Sequence, residues 1–158
     1  MTRPPATAEE LDALAERISA WLASELETNP LLVDVTRDDE LRYRWFVRLA
    51  GEEKDFTTIW MTLGQRMLKY ETYVLPAPEK NRADLFELLL RRNYRLVGAH
   101  FAIGPEDAVF LCGELPVHVV DEEELDRLVG SVFEYVEQNF ASAVRLGFGR
   151  AARAQRSN

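Results

Sequence analysis

The chain has 158 residues, 47% of them hydrophobic, and a formal net charge of −8 at pH 7. This length and apolar content are enough for one domain with one buried core. The acidic balance disfavours nucleic-acid binding, because phosphates are repelled by a negative surface. A lone cysteine, Cys112, excludes an internal disulfide and a thiolate metal cluster.

The N-terminal stretch predicts a helix and not a targeting segment. It lacks an apolar run of about 7–15 residues, and no later run approaches the ~20 apolar residues of a membrane span, so we expect a cytoplasmic protein. Thr7 and Glu10 form a capping box that starts a helix near Ala8, and Asn29 and Pro30 end it. Apolar residues recur between them at three- and four-residue spacing: Leu11, Leu14, Ile18, Trp21, Leu22 and Leu26. This stripe indicates a helix that packs on a core, and a free partner-binding helix is the alternative.

After a short extended segment at residues 31–35, the hydrophobic period changes from helical to two. In residues 41–50, Leu41, Tyr43, Trp45, Val47 and Leu49 alternate with Arg42, Arg44, Phe46 and Arg48. This alternation predicts a strand with two different faces. Turns at residues 51–54 and 64–65 return the chain as strands at 55–63 and 66–75, which predicts an antiparallel meander.

The turn lengths predict that Ala50 lies opposite Asp55 and Leu63 opposite Arg66. This register puts the bulkiest residues on a helix-covered face: Tyr43, Trp45, Val47, Leu49, Phe56, Trp60 and Tyr73. The other face has an apolar centre and an arginine rim, the composition of a protein interface. We therefore predict a partner-binding surface made of Arg42, Arg44, Phe46, Arg48, Ile59, Met61, Leu68 and Tyr70. The alternative is that more of the same chain covers this face, and a one-residue error in register would exchange the two sets.

A second helix is predicted at residues 81–93, after Pro76 and Pro78 end the meander. Asn81 is the expected N-cap and Asn93 the expected left-handed stop. The predicted buried side consists of Leu85, Phe86, Leu89 and Leu90, and the two basic residues that follow, Arg91 and Arg92, complement the helix dipole. An anion site at these arginines is the alternative.

A hairpin and a last helix complete the predicted domain. Residues 96–103 and 108–115 form strands with Ile103 opposite Ala108, and their two apolar faces predict a central or doubly covered pair. Asp121 and Glu124 cap the last helix, which Gly147 and Gly149 stop. Its stripe comprises Leu125, Leu128, Val132, Val136, Phe140 and Val144. The basic residues 150–158 are predicted to be disordered, and nucleic-acid binding by this tail is a minor alternative.

No motif in the sequence indicates catalysis. The two histidines, His100 and His118, have no neighbours at metal-ligand spacing, and there is no phosphate loop, nucleophile elbow or Cys-His pairing. We therefore predict a protein that is not an enzyme, with no cofactor and no metal. Residues distant in sequence can still converge in space, so the missing motifs exclude little by themselves.

Residues 85–117, LFELLLRRNYRLVGAHFAIGPEDAVFLCGELPV, and the helix that follows Asp121 resemble the YbjN family of bacterial sensory-transduction regulators. The predicted order α-β-β-β-α-β-β-α also resembles the type III secretion chaperone-like fold, an α+β class with an antiparallel sheet. The resemblance implies a single domain over residues 1–149 and a homodimeric, chaperone-like or regulatory module that binds a protein partner. The alternative is a small-ligand-binding or enzymatic domain with a pocket between the sheet and the last helix, near His100.

Overall fold

A computed structural model describes residues 2–149 of the chain. Within that range the elements are α1 (Ala8–Thr28), β1 (Leu32–Arg37), β2 (Arg44–Ala50), β3 (Phe56–Leu63), β4 (Met67–Leu75), α2 (Arg82–Asn93), β5 (His100–Ile103), β6 (Val109–Pro116) and α3 (Glu122–Phe148). The strands form one sheet in the order β1-β2-β3-β4-β6-β5, and every neighbouring pair is antiparallel. The predicted α+β class is confirmed, and the short extended segment is the additional strand β1. The predicted basic tail, residues 150–158, lies outside the described residues.

The predicted ends of α1 and the predicted start of α3 are confirmed, whereas α3 continues through Gly147, a predicted stop, and ends at Gly149. The Thr7 hydroxyl accepts a hydrogen bond from the Glu10 N–H, and the Asp121 carboxylate accepts one from the Glu124 N–H. These bonds satisfy backbone donors that have no partner inside the helix. Gly149 ends α3 in the left-handed conformation, with φ of 67°. The apolar stripe predicted for α3 is buried at every position: Leu125, Leu128, Val132, Val136, Phe140 and Val144.

The predicted bounds of α2 are confirmed, but the predicted capping by Asn81 and Asn93 is wrong, because both side chains bond to distant elements. Asn81 has a φ of 53° and makes no capping bond; its side-chain amide donates to the Leu146 carbonyl of α3 at 2.9 Å. Asn93 is the last residue of α2, and its side chain accepts from the Phe101 N–H at 2.7 Å and donates to the Phe101 carbonyl at 3.1 Å. These bonds orient α2 so that Leu90, predicted to be buried, is exposed.

The predicted register between β2 and β3 is wrong by one residue. Ala50 pairs with Phe56 and not with Asp55, because the turn closes with the Gly51 N–H bonded to the Asp55 carbonyl. Leu63 pairs with Leu68, two positions from the prediction, which leaves the faces of β3 and β4 matched as expected. Shifting one strand by a single residue moves all its side chains to the opposite face.

The second hairpin contains the same error for a similar reason. Ile103 pairs with Val109 and not with Ala108, because residues 105–107 form a 3₁₀ turn that occupies one more position. Glu106 and Asp107 have positive φ angles in this turn, a conformation that is uncommon for residues other than glycine. The predicted double coverage is also wrong, since the side of β6 that carries Cys112 is only partly buried.

The core lies between one face of the sheet and a layer formed by α1, α2 and α3. The strands contribute Trp45, Val47, Leu49, Ile59, Met61, Leu63, Leu68 and Tyr70 to it. The Trp45 indole N–H donates to Ser19 Oγ of α1 at 2.9 Å, which satisfies the only polar atom of this buried side chain. Within residues 2–149, no helix covers the opposite face of the sheet.

A substitution in the first turn of the meander tests this packing. A Cβ atom on Gly51 would overlap Glu137 Oε1 of α3 and the Lys54 carbonyl, so Gly51→Ala should destabilise the fold by about 1–3 kcal/mol. Gly130 in α3 has nothing within 4 Å of an added Cβ, so Gly130→Ala should instead stabilise it by up to ~1 kcal/mol. Urea unfolding of both variants measures the two signs, and a Gly51→Ala protein as stable as wild type would contradict the turn geometry.

Candidate interaction surface

The structure separates the residues of the predicted partner-binding surface. Arg44, Phe46 and Arg48 point away from the helices, on the side opposite Trp45 and Val47. Four others are buried in the core beneath the helices, with 0–3% of their surface exposed: Ile59, Met61, Leu68 and Tyr70. Arg42 precedes β2 and pairs with Asp12 of α1 at 2.9 Å. The eight residues therefore do not share one surface, because the one-residue shift between β2 and β3 exchanged the faces of β3 and β4 relative to β2.

We call the uncovered side of the sheet the open face. On this face the β2 residues lie beside other residues than the sequence predicted. Phe46 lies directly opposite Trp60, and Arg44 opposite Thr62. The open face consists of Arg44, Phe46, Arg48, Phe56, Thr58, Trp60, Thr62, Lys69, Glu71, Tyr73, His100, Ala102, Phe110, Cys112 and Glu114. An apolar surface with an arginine rim is thus present. Phe46 is on it as predicted, whereas Phe56, Trp60 and Tyr73 are aromatic residues that the sequence assigned to the core.

The aromatic rings of the open face hold one another in place. Phe46 and Trp60 meet edge to face, with ring centroids 5.9 Å apart and planes at 89°. Tyr73 and Phe110 repeat this arrangement at 5.6 Å. The Arg48 guanidinium carbon lies 3.8 Å from the centre of the Phe56 ring. Such contacts are favourable, and three of the rings remain exposed: Phe56, Trp60 and Tyr73.

A shallow groove of about 460 Å³ runs along one end of the open face. Its charged side chains include both signs, with Arg44 and Lys69 as bases and Glu71 and Glu114 as acids. Arg44 Nε donates to Thr62 Oγ1 at 3.1 Å, which fixes the guanidinium at the rim. A mixed groove beside aromatic rings can bind a polypeptide, whose backbone and side chains offer both donors and acceptors.

Three reactive side chains lie in a row across this groove. Cys112 is directly opposite Glu71 on one side and His100 on the other. Burial, with a smaller contribution from the Glu71 charge, raises the pKa of the Cys112 thiol above its ordinary value. The thiol therefore stays protonated at neutral pH, the opposite of what a nucleophilic cysteine requires. Among the described residues, no group of three or more His, Cys, Asp or Glu side chains has an arrangement that could hold a metal.

The pocket expected near His100 lies elsewhere. His100 is exposed on the open face and does not line the space between the sheet and α3. A cavity of about 380 Å³ does occupy that space, and its lining includes Tyr70, Leu128 and Val132. The Tyr70 hydroxyl donates to the Gly98 carbonyl at 2.5 Å, and burial raises the pKa of this phenol. The predicted link between the histidine and the pocket is therefore wrong, for the same reason as the hairpin register.

The sequence missed Phe56, Trp60 and Tyr73 as surface residues, although β3 contains a signal that could have found them. The set Thr57, Ile59, Met61 and Leu63 holds three aliphatic side chains, whereas the set with Phe56 and Trp60 also holds Thr58 and Thr62. Aliphatic residues are more often fully buried than large aromatic ones. Ranking by aliphatic content and not by ring size would have assigned the faces of β3 correctly.

Adjacent positions of β3 provide a direct test of this assignment. Met61→Ala should destabilise the protein by about 2–5 kcal/mol, because it leaves a cavity in the core. Trp60→Ala removes a ring that is 40% exposed, together with its contact with Phe46, and should cost less, about 1–2 kcal/mol. Chemical denaturation of the two variants gives the difference, and a larger loss for Trp60→Ala would show that the two faces are exchanged.

Comparison with protein families gives one match over most of the chain. A family described as "Putative bacterial sensory transduction regulator" matches residues 14–143. An uncharacterized protein of Mycobacterium tuberculosis is 34% identical over 102 residues, which are 65% of this chain and 56% of the relative. A protein of Mycobacterium leprae is 31% identical over 105 residues, 66% of this chain and 57% of the relative. The matched region thus spans little more than half the length of these relatives.

Solved structures with the same fold include proteins of type III secretion systems. The heterodimeric ExoU-SpcU complex of Pseudomonas aeruginosa matches with a TM-score of 0.56 and 18% identity, over 84% of this chain and 99% of that one. The ExsC-ExsE complex matches with a TM-score of 0.56 and 14% identity, over 80% of this chain and 92% of that one. The Yersinia pestis chaperone SycH, in complex with a fragment of YscM2, matches with a TM-score of 0.51 and 15% identity, over 80% of this chain and 96% of that one. These likenesses confirm the predicted chaperone-like fold. No helix in residues 2–149 is long and apolar enough to cross a membrane.

Proposed function

We propose that this chain, which belongs to the YbjN family, is a non-enzymatic interaction module that binds a polypeptide partner on the open face of its sheet. Its role would be chaperone-like or regulatory. The observation that carries the proposal is the uncovered aromatic surface, which the fold holds rigid and rims with arginine.

The open face has a composition that is typical of a binding site, and its apolar rings are partly exposed to solvent. Phe56, Trp60 and Tyr73 are each 40–43% exposed, although a fully buried aromatic side chain gains roughly 1.5–3 kcal/mol. Covering the remaining surface of each ring with a partner would therefore gain about 1 kcal/mol. Aromatic residues and arginine are also the residue types most enriched at the energetic centres of interfaces.

The structural neighbours support polypeptide binding without identifying the partner. The ExoU-SpcU, ExsC-ExsE and SycH-YscM2 structures are each complexes of two proteins. Because unrelated functions occur on one fold, their partners are not transferred to this chain. A cytoplasmic location remains a prediction from the sequence, and the activity of the longer mycobacterial relatives is outside this proposal.

Quantitative affinity capture tests the open face. Trp60→Asp should lose the partners that tagged wild-type protein enriches from its source cells, because a carboxylate replaces the central ring and cannot be desolvated cheaply. Leu26→Asp is the matched control, since Leu26 lies on α1, is also 40% exposed and receives the same charge. Mass spectrometry of the three captures measures the difference.

The capture has two outcomes that would contradict the proposal. Equal recovery by wild type, Trp60→Asp and Leu26→Asp would place the binding site away from the open face. Recovery of no protein above the level of a tag-only control would argue against an interaction module. Circular dichroism of each variant establishes that the capture compares folded proteins.

The proposal includes the homodimer that the sequence resemblance implied. Exposed apolar side chains occur both on the open face and near the end of α2, so more than one surface is available for self-association. Sedimentation equilibrium at micromolar concentration should give twice the 18.1 kDa mass of the chain. A monomer throughout the micromolar range would overturn the homodimer and leave the partner-binding proposal intact.

A further inference from the structure

A second exposed apolar surface lies where α2 meets the outer strand β5. Leu90 is 69% exposed and Tyr94, just beyond the helix, is 92% exposed, whereas the neighbouring Leu89 is buried. We call this surface the α2 corner and define it by Phe86, Leu90, Arg91, Tyr94, Arg95 and Ile103. It is separate from the aromatic rings and the groove of the open face, because α2 lies on the helical side of the sheet, and Ala102 of β5 is the one residue that borders both surfaces.

One part of the α2 corner is an apolar cavity. It has a volume of about 180 Å³, and its lining is Phe86, Leu89, Leu90, Phe101, Ala102, Ile103 and Val109. An apolar protein cavity of roughly 150 Å³ is large enough to hold a benzene molecule. The cavity therefore has room for one phenylalanine or leucine side chain of a ligand, and its lining offers nothing to a polar one.

The adjoining part is basic. Leu90 lines both the cavity and a neighbouring groove that contains Glu87, Arg91, Tyr94 and Arg95. Arg91 Nε lies 3.7 Å from the Glu87 carboxylate, a long and exposed ion pair, and no acidic side chain in residues 2–149 pairs with Arg95. The helix dipole accounts for Arg91 in the last turn of α2, but not for Arg95 or the exposed Tyr94 beyond it. In a chain of net charge −8, this groove is a local attraction for carboxylates.

The edge of β5 restricts how a ligand can bind here. Asn93 already makes both hydrogen bonds that an added strand would make to Phe101, one to its N–H and one to its carbonyl. A ligand cannot extend the sheet at this position without displacing the Asn93 side chain. Recognition at the α2 corner must therefore rely on side chains and not on strand pairing.

We propose that the α2 corner binds an acidic segment of a partner polypeptide, which inserts one aromatic side chain into the apolar cavity and places carboxylates on Arg91 and Arg95. The cavity selects the ring, and the two guanidinium groups select negative charge beside it. This site does not depend on the open face, so the same protein could hold two segments at once.

The test uses a fluorescein-labelled peptide with a single phenylalanine flanked by glutamates. Two matched peptides replace the phenylalanine with alanine or every glutamate with glutamine. Fluorescence polarisation should show binding of the first peptide and at least about tenfold weaker binding of the other two, the loss expected when an interface anchor is removed. Raising the salt concentration should weaken the first peptide more than the glutamine peptide, because only its contacts are ionic.

Protein variants locate the site. Leu90→Asp puts a charge at the mouth of the cavity and Arg95→Glu reverses a basic group, so each should weaken the acidic peptide by about tenfold or more. Arg127→Glu on α3 is the matched charge reversal and Leu26→Asp on α1 the matched change of an exposed leucine, and both should bind like wild type. Arg95→Glu tests the site even if Leu90→Asp fails to fold.

Three results would overturn the proposal. The first is no binding of the acidic aromatic peptide, or equal binding of its alanine or glutamine counterpart. The second is wild-type affinity in both Leu90→Asp and Arg95→Glu. The third is a wild-type dimer that does not bind the peptide and that dissociates when Leu90 is changed to Asp. This result would assign the α2 corner to a second copy of the chain. None of these results bears on the capture by Trp60→Asp, so the two sites can fail separately.

Discussion

The arrangement of this molecule depends on one constraint, the two-residue alternation of side chains along β2, β3 and β4 beneath a layer of helices. Trp45, Met61 and Tyr70 lie on one face because the strands pair in a single register, and the helices cover that face. The hydrogen bond from Trp45 to Ser19 ties α1 to the same face. The residues at the intervening positions consequently lie on the uncovered face of the sheet. These residues form the surface that could bind a partner.

The position of α2 depends on two asparagines in the same way. Asn81 bonds to α3 and Asn93 bonds to β5, so the helix is held between two elements and cannot rotate to bury Leu90. These hydrogen bonds thus leave the α2 corner exposed, with its apolar side chains beside two arginines. The asparagine that closes the strand edge also determines that recognition there uses side chains, which separates this surface physically from an ordinary sheet edge.

Much of the fold followed from local patterns in the sequence. The caps at Thr7 and Asp121, the stripe of α3 and the meander were all predicted from spacing that acts within a few residues. The faces of the sheet were not, because they depend on whether a turn contains one residue more or fewer. The open face therefore kept its predicted Phe46 but acquired Trp60 and lost Met61. Of the eight residues predicted for the partner-binding surface, three lie on the open face: Arg44, Phe46 and Arg48.

The resemblance to known proteins indicated the chaperone-like fold, and the sequence by itself determined the α+β class, the order of the elements other than β1 and the lack of recognisable catalytic motifs. These depend on residue type and period, which tertiary contacts do not change. Only the tertiary structure decided which side chains are exposed, because exposure depends on register and on long-range bonds such as that of Asn93 with Phe101. Two of the three turns that set register were predicted wrongly by a single residue, and in a strand one residue separates the core from the surface.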